Sequence, residues 1–214
     1  ELCPDTIGKL PIQQGGRVKP LNVHAKETIK FITGKSKWNG LNSTELYCQM
    51  SLQKLAGFEQ HKLSLPILVN HIESKKFLGL DASDNHIQFD QALKKQQELH
   101  EYASTLESRK DTSAFAKDLK AVFVRLQLYQ DVMHGTNWTI PYRHANSESE
   151  EVKWASLKNW LMVQSKKNPD AISQAIPLAL QQGEMYKTVD TTHLTEHLYS
   201  TLHLFHWSIL LVLL

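Results

Sequence analysis

Residues 113–133, "SAFAKDLKAVFVRLQLYQDVM", constrain this chain more than any other stretch. Phe115, Leu119, Val122, Phe123, Leu126 and Tyr129 recur at spacings of three and four. That pattern places them on one face of a helix and fits no alternating strand. A helix from about Ser113 to Met133, ended by Gly135, is therefore predicted, and so long an apolar face needs other elements packed over it.

The flanking signals are also mostly helical. Asn22 is placed to cap a helix through "VHAKETIKFIT", with Gly34 supplying the left-handed stop. "NSTE" at 42–45 has the form of a capping box, Asn42 with Glu45, opening a helix that runs to Gly57. Asp90 is expected to cap a polar helix reaching about Arg109. Trp154, Leu157, Trp160 and Leu161 line one side of a helix over roughly 152–165, another runs from Ala171 to about Lys187, and the last begins near Thr192. "NWTIPY" at 137–142 is extended, because residues before a proline avoid the helical region, and "SLPILVNHI" fits a strand or a buried helix equally. The fold class is mainly α with irregular extended segments.

With 214 residues, 41% of them hydrophobic and 21% charged, the chain can bury one large core or two small ones. A net charge of +2 gives no reason to expect nucleic acid as a partner. Residues 1–40 hold seven Lys/Arg against three Asp/Glu, a basic start that suits a solvated surface. Cys3 and Cys48 cannot form a CxxC pair, a CxxCH haem attachment site or a zinc knuckle. They can pair with each other outside the cytoplasm or remain two thiols. "HANSESEE" at 144–151 is a short acidic patch, and there is no internal repeat.

Two patterns imitate known chemistry. "HLTEH" at 193–197 matches the inverted zinc-protease motif, with His193 and His197 one helical turn apart and Glu196 beside them. Catalytic zinc needs a third protein ligand, and the 17 residues that follow contain no Asp or Glu. "TGKS" at 33–36 resembles the end of a phosphate-binding loop, but Ile29 stands where that loop needs a glycine. No G-x-S-x-G elbow or Cys–His signature appears, so no catalytic residue and no metal site is assigned.

The chain ends in "LHLFHWSILLVLL", residues 202–214, far short of the roughly 20 residues that span a bilayer. A buried core helix is one reading; the first part of a transmembrane helix is the other. Residues 192–214 are polar in their first half and apolar in their second, a lengthwise split that favours entering the bilayer over lying on it. Together with Glu1 at the start, this suggests a segment of a longer protein, with a helical domain over 1–201 and the beginning of a membrane helix over 202–214. His203 and His206, spaced i, i+3 beside Trp207, are candidate haem or metal ligands.

"LPIQQGGRVKPLNVHAKE" at 10–27 resembles the start of the extracytoplasmic region in long-form CcsA/ResC-type system II cytochrome c biogenesis proteins. Leu10, Pro11, Gly16, Arg17, Val18, Lys19, Pro20, Leu21 and Ala25 fit that pattern. Asn22 stands for its Asp, Val23 for its Thr or Ser, and His24 for its aromatic or leucine. "ITGKSKWNGLNSTE", "LPILVNHIESKKFLGL", the long helix, the "IPY" stretch and a tryptophan-bearing helix follow in the family's order, so the likeness covers nearly the whole chain. Only the Gly-Arg-Val-Lys-Pro-Leu core is distinctive.

The resemblance implies a bacterial inner-membrane machine that delivers haem and joins it to apocytochrome c, with a ResB/CcsB-type partner and this domain on the periplasmic side. It also implies that the haem-handling tryptophan-rich loop lies outside this segment, which acts as a scaffold or docking domain while the parent protein is the haem lyase. Within the motif, Gly15 and Gly16 permit a tight turn, Pro20 fixes the approach to the next helix, and Arg17 and Lys19 share one face of an extended segment. Gly16, Arg17, Lys19 and Pro20 are therefore the candidate docking residues. Arg17 can bind a carboxylate of a partner or a haem propionate, or it can pair with an internal acid and pin the turn to the domain. The rival from another class is a stand-alone helical adaptor with an apolar C-terminal anchor; a haem or metal sensor would rest on the histidines alone.

Overall fold

The predicted amphipathic helix is present, α6 in chain order, as Ala114–Met133 in a computed structural model that describes residues 3–55, 63–142, 152–187 and 192–202. Ser113 caps it by accepting the Ala116 N–H, and Leu119, Val122, Leu126 and Tyr129 are buried. Phe115 and Phe123 lie at the margin of the apolar stripe, half-buried, Phe123 against His100 and Phe115 between His71 and Tyr102.

Around it, among the described residues, one local device, a paired strand that runs straight into a helix, occurs four times. Strands β1 (Pro11–Gln14) and β2 (Arg17–Pro20) pair antiparallel and lead into α1 (Leu21–Thr33). Strands β3 (Lys37–Trp38) and β4 (Leu41–Asn42) lead into α2 (Ser43–Leu52). Strand β5 (Pro66–Leu68), followed by α3 (Ile72–Leu78), pairs with β6 (His86–Gln88), which leads into α4 (Phe89–Lys94) and then α5 (Gln96–Ser108). Beyond α6, β7 (Thr139–Tyr142) pairs with β8 (Lys153–Ser156), which leads into α7 (Leu157–Ser165). In each case the last strand residue is the helix N-cap, since extended backbone is what an N-cap requires. The chain closes with α8 (Ala175–Lys187) and α9 (Thr192–Leu202).

The mainly helical reading is correct, and several details differ from expectation. Pro20, not Asn22, occupies the N-cap of α1, because β2 runs directly into the helix; Gly34 ends it at φ 76° as expected. The capping box at Asn42 and Glu45 forms with both reciprocal bonds, but its helix stops at Leu52. Gln88, not Asp90, precedes α4, and the polar helix expected to reach Arg109 breaks at Lys95. Trp154 lies on β8 and packs edge-on against Tyr186, so the helix over 152–165 starts only at Leu157.

Helices α1, α2 and α6 enclose the core with β5, and the largest wholly buried side chains are Trp138, Tyr47 and Tyr129. Tyr129 stacks on Phe89 at 4.1 Å, and its hydroxyl accepts the Leu65 N–H. Cys3 and Cys48 form a disulfide, which ties the N-terminal segment to α2. Among the described residues no helix is long and apolar enough to cross a membrane; residues 203–214, on which the membrane-helix expectation falls, lie outside them.

Candidate functional site

The Gly-Arg-Val-Lys-Pro-Leu core forms the β1–β2 hairpin. Gln14 pairs with Arg17, and Gly15 and Gly16 make the two-residue turn at φ 57° and 79°. Both central residues of such a turn need positive φ, which glycine adopts without steric cost. The hairpin is bolted to β7 by Thr139, whose hydroxyl accepts the Gln13 N–H and donates to the Gln13 carbonyl.

The two basic residues expected to dock a partner are both engaged inside the chain. Arg17 Nη2 lies 2.9 Å from Glu196 Oε1 on α9. Lys19, buried at the base of the hairpin, donates to Glu27 on α1. Of the alternatives open for Arg17, the internal acid is the one observed. Pro20 is buried opposite Pro11 and starts α1, while Gly16 remains at the exposed tip. The hairpin thereby seats α9, which also packs on α1 and on the 3₁₀ turn Asp5–Lys9.

The same contacts dismantle the "HLTEH" pattern. Glu196 answers Arg17, and the buried His193 packs beside Tyr186 at 5.7 Å. His197 lies over Gly8 instead; burial and the nearby Lys9 charge hold its pKa below the ordinary histidine value, with the Gly8 backbone acting oppositely. Among the described residues no group of three or more His, Cys, Asp or Glu side chains could hold a metal ion. His203 and His206 lie outside the described residues.

A residue without an assigned role in the sequence joins these elements. His24 on α1 is 1% exposed and is held at both ring nitrogens. Its Nε2 is 2.7 Å from Asn137 Oδ1, which also accepts the Tyr47 hydroxyl at 2.9 Å, and its Nδ1 is 3.0 Å from the Gln14 amide. A neutral ring with its proton on Nε2 satisfies this set, once the exposed Gln14 amide turns its N–H toward Nδ1. Burial lowers the His24 pKa to about 4 against the bond to Asn137, and burial likewise pushes the Tyr47 phenol up. The pair is thus a neutral structural knot joining hairpin, α1, α2 and the loop before β7. It has no solvent access through which to work as an acid or base.

The knot has a pH signature. Unfolded His24 titrates near 6.5 while the folded ring stays neutral to about 4, so unfolding takes up a proton between those values. Stability is full above about pH 6.5 and is expected to fall by on the order of 3 kcal/mol as the pH drops to about 4. Urea midpoints across that range in the wild type and in His24→Leu would check this: equal slopes in both proteins would place the proton uptake elsewhere.

A cavity of about 660 Å³ opens over the 3₁₀ turn Asp5–Lys9. Its walls are the 3₁₀ turn, the first turns of α1 and α2, and His197 of α9, with Cys3 of the disulfide among them. Lys, Asn, Ser and Thr residues dominate its lining, and apart from the His197 ring it has no aromatic face, and no Leu, Ile, Val, Phe or Trp, to sandwich a porphyrin. No family model matches this chain, and no curated protein matches it in sequence.

Proposed function

We propose that this chain is the extracytoplasmic domain of a CcsA/ResC-type system II cytochrome c biogenesis protein of the bacterial inner membrane. Its role is to set the geometry between the membrane-embedded haem-handling part, apocytochrome c and a ResB/CcsB-type partner. One observation carries the reading: the hairpin built from the distinctive motif is the seat of α9, the helix whose sequence continues into the apolar residues 203–214. A seat there would fix the direction in which the chain leaves the domain. The disulfide supports an oxidising compartment. Neither His24, whose two ring nitrogens are both hydrogen-bonded, nor the cavity, which presents lysines and amides, is suited to haem. Haem chemistry belongs, in this reading, to the rest of the protein, and this domain is non-catalytic.

Arg17→Ala in the full-length protein is expected to lower holocytochrome c yield while leaving the protein level unchanged. The Arg17 side chain is 71% exposed, and exposed ion pairs contribute only about 0–1 kcal/mol to folding, so a lost yield would report on geometry and not on stability. Normal yield at a normal protein level would remove Arg17 from the function. Sequencing the encoding DNA on both sides provides an independent check. A frame that continues into several apolar spans around a tryptophan-rich loop supports the proposal, and a stop codon directly after Leu214 would sink it.

A further inference from the structure

Helix α9 turns two imidazoles toward the domain, where a helix seated for affinity alone would turn leucines. His193 is 1% exposed with both ring nitrogens sealed from solvent, while Leu198 on the same helix stands 55% exposed. One turn on, His197 packs over Gly8, and its Nδ1 is sealed from solvent without a hydrogen-bond partner. The helix rests on β2, α1 and the 3₁₀ turn, and touches α8 through Tyr186. The acids on these elements and on α9 are Glu27, taken by Lys19, Glu196, taken by Arg17, and Asp5 and Glu184. The bases are Arg17 and Lys19 of β2, Lys26 and Lys30 of α1, Lys9 of the turn and Lys187 of α8, with His24 and Tyr186 as the remaining titratable groups. Cations thus outnumber acids among the described residues around the seat, and Lys9 is the charge that acts on His197.

We propose that α9 is an acid-released latch: as the surroundings acidify, His193 and His197 take up protons and the helix leaves its seat. A ring sealed from solvent favours its neutral form, whereas a histidine in water charges near pH 6.5. The docked state is therefore fully stable above about pH 6.5 and loses stability as the pH falls below it. For a ring that takes its proton only when undocked, the opening equilibrium rises about tenfold between about pH 7.5 and 5.5, and about a hundredfold for two. Carboxylates ordinarily titrate below that range, so the change reads the histidines. The inference rests on the seat of α9 and not on the cytochrome c reading. A failed latch leaves the test of Arg17 in holocytochrome c yield untouched, and normal yield in Arg17→Ala leaves the latch untouched.

Hydrogen exchange of the whole 214-residue chain, read as protection factors at about pH 7.5 and 5.5, tests it. Protection at the amides of residues 196–202 is expected to fall about a hundredfold in the wild type, about tenfold in His193→Phe or His197→Gln, and not at all in the double variant. At both pH values α9 should be less protected than α6, which shows that it opens alone. Unchanged protection in the wild type would overturn the proposal, as would a fall that persists in the double variant or equal protection in α9 and α6. If the double variant has lost α9 protection already at pH 7.5, the wild-type ring signals decide by NMR. Protonation of His193 and His197 in step with the loss of α9 protection supports the latch, and their protonation while α9 stays protected overturns it.

Discussion

Breaking the Cys3–Cys48 disulfide is expected to cost about 4 kcal/mol of folding free energy, the chain-entropy value for a closed loop of this length. The bridge spans a sequence separation of 45 residues and joins the N-terminal segment to a core helix. The loop it closes contains the hairpin, all of α1 and the start of α2, so the reduced unfolded chain recovers much freedom. Both cysteines are buried, Cys3 at 4% and Cys48 at 0% exposure, so a reductant reaches them only when the N-terminal segment opens. Urea unfolding of the Cys3→Ser/Cys48→Ala double variant gives the value directly, and the midpoint should fall with little change in slope. A shift of under about 1 kcal/mol would mean that the unfolded chain is already constrained over this region. Since small domains hold only about 5–15 kcal/mol in all, a loss of this size would make the fold depend on an oxidising compartment.

Local signals carried much of this architecture. The Gly34 stop, the Asn42–Glu45 box and the α6 stripe all act within one or two helical turns, and each is found where its residues place it. The Gly-Gly turn is equally local, and it becomes the hairpin tip. The misplaced features depend on distant partners. No glycine or proline marks the break at Lys95; there the ammonium reaches the Phe77 carbonyl and lies over its ring, contacts set by packing against α3. Trp154 fits a helical face by spacing, yet β7 captures it as a strand partner, and the signal that separates the two is Ser156, which caps α7 through the Asn159 N–H. The site was hidden for the same reason. Glu196 has the spacing of a protease base and is committed to an arginine near the other end of the chain, while His24 takes its partners from residues 14 and 137.

Truncating Arg125 is expected to be comparably damaging, about 3–5 kcal/mol for Arg125→Ala, because it strands a buried charge. Arg125 and Asp118 project from the same side of α6 at 7% and 9% exposure. At 3.8 Å their contact is an ion pair without a hydrogen bond, so each must find its bonds elsewhere. Arg125 Nε donates to the Phe31 carbonyl in the last turn of α1 at 2.9 Å, and Nη1 donates to the Leu68 carbonyl closing β5 at 3.0 Å, with the guanidinium beside the Phe31 ring. Asp118 accepts the backbone N–H groups of Asn70 and His71, just past that strand. One face of α6 therefore clamps the end of α1 and both polarities of the chain leaving β5. Burial lowers the Arg125 pKa and Asp118 raises it again, so the ion pair offsets part of the desolvation cost. Arg125→Lys is expected to lose most of the clamp, since one ammonium cannot supply two fixed, divergent donors. Asp118→Asn keeps an acceptor for the loop and should cost less than Arg125→Ala. Hydrogen exchange supplies the local readout: in Arg125→Ala, protection should fall first at the amides of residues 70 and 71 and at the end of α1. If Arg125→Ala costs under about 1 kcal/mol, the pair behaves like a surface ion pair and the junction of α1, β5 and α6 is held by apolar packing alone.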